Sequence, residues 1–236
     1  MTHRYILQID TSTPVCSVAL SCDGISVAQA DAGQSNMHAS QLTLLCKQLL
    51  DEQGIHLHQL AAVAVAKGPG SYTGLRIGVS VAKGICYAAE LPLIAIDSLH
   101  SLAAHYRDTY AAHIASHTLL CPMIDARRME VYMALYSPQI ELVQPTAARI
   151  MDAQSFEDLP KDQEVHLFGS GADKLTELFA SHARVRVVPG LLASAGAMSS
   201  LAHRAWQQGQ VEDLAYFEPY YLKDFIPTTP KSRLKI

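Results

Sequence analysis

VAVAKGPGSYTGLRIGVSVAKGICYA, residues 63–88, opens as an apolar strand, breaks at Gly68-Pro69-Gly70-Ser71 and resumes with helical spacing. Gly74, Gly78 and Gly84 fall inside the helical part, where each glycine costs roughly 1 kcal/mol against alanine. Two arrangements would explain that cost. A glycine-rich loop ahead of a helix aims backbone N–H groups at a phosphate, or a helix without side chains lets another backbone come close. The loop is not a Walker sequence, because Arg76 and Ile77 fall where that pattern requires other residues. Gly74, Gly78 and Ala82 form a smooth stripe that suits a partner helix or the parent sheet equally.

Working outward, Tyr5–Asp10 is a short apolar strand that ends in the polar turn Thr11-Ser12-Thr13-Pro14. Cys16, Val18, Leu20 and Cys22 then alternate with the period of two that marks a half-buried strand. Asp23-Gly24 is a two-residue hairpin signal, and Ile25–Ala30 runs back. A helix is expected from about His38 to Gln53, with Leu42, Leu45, Leu49 and Leu50 at helical spacing and Gly54 as its stop. Strands at Ala61–Ala66 and Leu93–Asp97 flank the helix of residues 73–88, and Ser98 caps another helix to about Arg107. This alternation predicts an α/β layered sheet.

The second half repeats the opening. Strands at Leu119–Ile124 and Met129–Tyr136 surround Asp125-Ala126-Arg127-Arg128, a turn that suits either an ion pair or a partner contact. Residues 137–163 read as irregular. Val165–Phe168 enters Gly169-Ser170-Gly171 with a helix to about Ser181, followed by a strand at Val185–Val188 and a helix from Ser194 to Gln208. The shared pattern of two strands around a polar turn points to duplication.

Composition narrows the function classes. A net charge of −4 argues against an autonomous nucleic-acid binder. No run approaches the roughly 20 apolar residues of a membrane span, and MTHRYILQID does not read as a signal peptide. Five cysteines without a C-x-x-C pair read as thiols in a reducing compartment, so a cytoplasmic location is expected.

Candidate chemistry is sparse. Asp10-Thr11-Ser12, an acid and hydroxyls at a strand end, suits a metal-bound phosphate or a turn that satisfies its own backbone. His113 and His117 stand four apart and would share a helix face, but lack the H-E-x-x-H pattern and a third ligand. His56 and His58 read as loop residues, and Ser71 lacks the G-x-S-x-G spacing of a nucleophile elbow. No catalytic set and no metal site emerge from spacing.

ILQIDTST, GPGSYTGLRIG, LIAIDSLHSLA, DARRMEVYMALY and EPYYLKD, in that order, resemble the bacterial TsaB (YeaZ-type) proteins, which share ancestry with the TsaD/Kae1 glycoprotease-like family. The resemblance implies the actin-like, sugar kinase and Hsp70-type (ribonuclease H-like) α/β fold in two related subdomains. Residues 1–100 would form the first, with the helix of about 194–208 packing back on it, and residues 101–236 a reduced second with a C-terminal tail. Function would be that of a non-catalytic subunit in making threonylcarbamoyladenosine at position 37 of tRNA. It would bind a TsaD-type catalytic paralogue together with a TsaE-type ATPase, and would touch tRNA only through that complex.

The metal-binding histidine pair of the paralogue is missing, since His38 is followed four residues on by Leu42. No intrinsic cofactor is implied, and ATP and metal are expected on the partner subunits. Asp10, Thr11 and Ser12 would be a vestigial phosphate loop, and Gly68, Pro69, Gly70 and Ser71 a structural turn aiming the second helix. The family pairs through two helices behind the first sheet. Their candidate contacts here are Leu42, Leu45 and Leu49 together with Gly74, Leu75, Gly78, Val79 and Ala82. Without its partner the chain would pair with itself through the same helices. Lys223, Lys231, Arg233 and Lys235 in the tail are possible tRNA contacts. The rival readings are a nucleotide-binding phosphotransferase using Asp10 and Thr11, and an M22-type metallopeptidase.

Overall fold

A computed structural model describes residues 3–33 and 39–223; His38, Lys231, Arg233 and Lys235 lie outside the described residues. Tyr5–Asp10 (β1), Val15–Cys22 (β2) and Ile25–Gly33 (β3) are followed by a helix, Ala39–Glu52 (α1). Leu60–Gly68 (β4), Tyr72–Ala89 (α2), Leu93–Asp97 (β5) and Ser98–Tyr110 (α3) complete the first half. The second half contains Thr118–Asp125 (β6), Glu130–Tyr136 (β7), Leu142–Ile150 (β8), Glu164–Phe168 (β9), Val185–Val188 (β10) and Ser199–Gln207 (α4).

The two sheets share one topology. The first runs β3-β2-β1-β4-β5 and the second β8-β7-β6-β9-β10. In each, the first three strands are antiparallel neighbours, and the remaining two join in parallel on the other side of the first. The duplication suggested by two strand openings therefore extends through all five strands of each sheet. It is the doubled sheet of the actin-like fold.

The near-continuous apolar runs of β1, β4 and β6 follow from burial on both faces. One face of the first sheet packs Leu7, Val18 and Val65 against Leu42, Leu49 and Val79 of α1 and α2. The other packs Ile6, Ala64 and Ile94 against Ala195, Met198 and Ala202 of the α4 region. The α3 residues Leu99, Leu102 and Tyr106 instead join Leu120, Ile124 and Phe168 of the second sheet. The helix after each sheet thus covers the other one, which ties the halves together.

Three expectations are corrected. Residues 137–163 include a strand, β8, which among the described residues pairs only with β7. An edge strand tolerates Pro145 and polar residues because only one side of its backbone must pair. The expected helix ending near Ser181 shrinks to one 3-10 turn, Asp173–Leu175, followed by irregular turns. Leu175 and Phe179, one helical turn apart, bury themselves against the sheet without a longer helix. His113 ends the 3-10 turn Ala111–His113 and His117 lies beyond it, so the two share no helix face.

Between the sheets, the hydroxyl of Tyr106 lies 2.8 Å from Nδ1 of His166 on β9, and Tyr106 stacks on Phe168 with centroids 4.0 Å apart. Burial, with nearby Arg186, holds the His166 imidazole below its ordinary 6.5, and Glu164 opposes the shift only in part. The folded chain therefore resists a proton that the unfolded chain accepts. Stability from this site is complete above pH 6.5 and declines as pH falls below it. His166→Gln, which keeps a hydrogen-bonding group for Tyr106, is expected to make the acid limb of melting temperature against pH shallower. His100, also lowered by burial, retains its own share of that limb in the variant.

Candidate functional site

The turn after β1 meets the loop before α2, and five donors there are matched within the chain. Ser12 N and Oγ donate to Asp10 Oδ1 at 2.9 and 2.7 Å. Thr11 Oγ1 donates to the Gly74 carbonyl at 2.7 Å, and Ser71 N to the Ser12 carbonyl at 2.7 Å. Ser71 Oγ in turn accepts from Gly74 N at 3.2 Å, capping α2. Asp10 Oδ2 is buried without a partner, and burial pushes the carboxyl above its usual range while the two Ser12 bonds pull it down.

This junction decides the role of the glycines. A Cβ on Gly70 would come closer than 3.0 Å to Ser12, one on Gly74 to the Thr11 carbonyl, and one on Gly78 to Thr11 Oγ1. The close neighbour of the glycine stripe is the chain's own first turn. Gly68 is required for a different reason. Its φ of +113° is strained for any side chain, and Tyr220 O from the tail packs against it. The second half repeats the arrangement, with Gly169 and Gly171 after β9 packed on the end of β6 at Met123 and Ile124.

The expected partner contacts are corrected accordingly. Leu42, Leu49, Leu75, Val79 and Ala82 are buried core residues, and Gly74 and Gly78 face inward with them. Leu45 is only partly buried and borders the same cluster. A hydrophobic residue at helical spacing packs first on its own sheet, so these leucines and valines mark the inner stripe. The outward stripe of α2 is Ser80, Gly84 and Ala88, all exposed, with open space around Gly84. On the adjoining α1, Leu44 is 57% exposed, and Tyr87 of α2 is 79% exposed. The spacing of Ser80, Gly84 and Ala88 was visible in the sequence, but nothing there said which of two small-residue stripes met the sheet.

The tail was also not placed by sequence reasoning. After α4 it bridges to β5 at Glu212, and Lys83 Nζ donates to the carbonyls of Ala215 and Phe217 at 3.2 and 3.0 Å. Tyr220 N then donates to Lys67 O at 2.7 Å, Arg76 Nε to the Tyr221 hydroxyl at 3.2 Å, and Lys223 pairs with Glu130 of β7. The tail straps α2 to the second sheet, and Lys223 is engaged there rather than free for nucleic acid. Lys174 similarly pairs with Asp125, so the turn after β6 is ion-paired within the chain.

Comparison with known proteins agrees with this architecture. The family model "TsaD: tRNA N6-adenosine threonylcarbamoyltransferase" matches residues 32–155. The tRNA threonylcarbamoyladenosine biosynthesis protein TsaB of Escherichia coli K12 is 30% identical over 232 residues, covering 93% of this chain and 94% of that one. The solved structure of YeaZ from Pseudomonas aeruginosa superposes with a TM-score of 0.75 at 29% identity, covering 93% of this chain and all of its own. The activator of 2-hydroxyisocaproyl-CoA dehydratase from Clostridium difficile, at 9% identity, a TM-score of 0.51 and coverage of 87% and 97%, shares the fold alone. Among the described residues, no helix is long and apolar enough to cross a membrane.

Proposed function

The chain belongs to the TsaB (YeaZ-type) family of tRNA threonylcarbamoyladenosine biosynthesis proteins, and from that premise we propose that it is the accessory subunit that binds and completes a TsaD-type transferase. The observation that carries this reading is the closure of the first-strand turn by α2. A phosphate seated there would need the Thr11 hydroxyl and the Ser12 and Ser71 amides, and each of these donates to a protein oxygen instead. Asp10 Oδ2, buried without a hydrogen-bond partner, is what remains of the site for a phosphotransferase. ATP and the metal of the transfer chemistry then belong to the partners, a TsaD-type paralogue and a TsaE-type ATPase, with tRNA engaged through the assembly in the cytoplasm.

The outer face of α1 and α2 is the docking surface in this proposal. Helices of 14 and 18 residues span about 21 and 27 Å, enough for a standard interface of about 1,200–2,000 Å². The smooth Ser80-Gly84-Ala88 stripe lets a partner helix approach closely, and Leu44 and Tyr87 give it apolar anchors. Without the paralogue the same face pairs with a second copy, since a two-fold contact needs only self-complementarity.

Reconstitution tests the role. The chain is mixed with a TsaD-type subunit, a TsaE-type ATPase, threonylcarbamoyl-adenylate and tRNA, and incorporation into tRNA is measured. The complete mixture is expected to turn over, while the chain alone and the mixture lacking it stay at background. Undiminished incorporation when the chain is omitted, or turnover by the chain alone, would refute the assignment.

A further inference from the structure

Among the described residues outside the junction at Asp10, one cluster brings together three different donor atoms suited to a metal ion. His3 precedes β1, and Cys22 and Asp23 form the end of β2 and the start of its hairpin. The fold makes them neighbours by pairing Tyr5 with Cys22 across β1 and β2. Asp23 Oδ2 lies 3.0 Å from His3 Nδ1 and 3.6 Å from Cys22 Sγ, and all three atoms fall within 4.8 Å of one another.

These separations lie close to those of a coordination sphere. Tetrahedral zinc with bonds of about 2.0 Å to nitrogen and oxygen and about 2.3 Å to sulfur sets its ligands roughly 3.3–3.6 Å apart. The carboxylate is already oriented, because its other oxygen accepts from Arg4 N at 3.0 Å and the hairpin is locked by Asp23 N donating to Arg4 O at 3.0 Å. Tyr5 stands opposite Cys22 across the β1–β2 ladder. An outer contact such as the Arg4 amide holds a metal ligand in place. The His3 and Asp23 side chains remain 67% and 48% exposed, which leaves a fourth position open to water.

We infer that His3 Nδ1, Cys22 Sγ and Asp23 Oδ2 form a zinc(II) site that clips the start of β1 to the β2–β3 hairpin. On loading, the thiol proton leaves to solvent and the thiolate, imidazole and carboxylate bind the ion, with no change of oxidation state. A nitrogen, sulfur and oxygen set of this kind suits zinc better than the all-oxygen cations magnesium and calcium. The site sits at the opposite end of β1 from Asp10, roughly 17 Å away by strand rise. It is independent of the proposed accessory role.

The test uses the full, untagged chain, freed of metal and titrated with cobalt(II) and then zinc(II). One equivalent of cobalt is expected to give a thiolate-to-cobalt charge-transfer band that zinc abolishes. The remaining cysteines except Cys22 are buried, so the band reports on this site, whereas the stacked exposed pair His56 and His58 would bind cobalt without it. Cys22→Ser and Cys22→Ala should each remove the band. Loss of even an outer-shell partner typically weakens metal binding 10- to 100-fold, so His3→Ala and Asp23→Asn should each weaken it by about 100-fold or more. Absence of the band in the wild type, its persistence in either Cys22 variant, or unchanged affinity in both ligand variants would overturn the proposal.

Discussion

Gly74→Ala is expected to lower the melting temperature by roughly 2–12 °C, the reverse of what the same change does in an exposed helix. In isolation, alanine would favour α2 by about 1 kcal/mol. Here its Cβ would press on the Thr11 carbonyl, closer than real Cβ contacts allow. Thr11 is held from the other side by its own bond to the Gly74 carbonyl, 2.7 Å long, and the turn carries buried Asp10 and Ser12. Neither backbone can retreat without breaking the cap at Ser71. Overpacking costs about 1–3 kcal/mol, and the lost hydrogen bond adds about 1. Against the helix gain this leaves a net loss of about 1–3 kcal/mol, which corresponds to roughly 2–12 °C for a chain of this size. Gly84→Ala on the same helix meets open space and is expected to be neutral or slightly stabilising. Thermal unfolding of the two variants side by side checks the assignment, and a stable Gly74→Ala protein would contradict the packing described.

Gly84→Arg is expected to abolish binding to a TsaD-type partner while leaving the chain folded. Gly84 lies in the middle of the outward stripe, with Ser80 and Ala88 one turn to either side. A long charged side chain at the centre of a close helix contact prevents approach and buries a charge without a counterpart. Central positions of this kind are worth about 2 kcal/mol or more in an interface, or at least 30-fold in affinity. Gly78→Arg is not a usable probe of docking, because Gly78 faces Thr11 Oγ1 and the variant would report unfolding. Calorimetry or co-purification with the paralogue, with a melting curve as the folding control, separates the two. Retained affinity in a folded Gly84→Arg chain would move the interface elsewhere.

Local signals determined a great deal in this protein. The alternation of Cys16, Val18, Leu20 and Cys22, the Asp23-Gly24 hairpin and the apolar runs of β1 and β4 depend on neighbours in the chain. They could therefore be read directly. The motifs from ILQIDTST to EPYYLKD carried the family by their resemblance and their order along the chain. Edge strand β8 was missed because an unpaired side relaxes the demand for apolar residues, and the reduced crossover after β9 because two buried side chains imitate a helix.

Direction, however, is a property of packing. Gly74, Gly78 and Ala82 share their spacing with Ser80, Gly84 and Ala88, and only the position of the sheet decides that the first set is buried, its glycines against Thr11, and the second meets solvent. His3 and Cys22 likewise stand far apart in the chain until antiparallel pairing of β1 with β2 sets them side by side. Short-range periodicity is written residue by residue. Which stripe is buried, and which distant side chains meet, depends on surfaces that exist only after the sheets have formed.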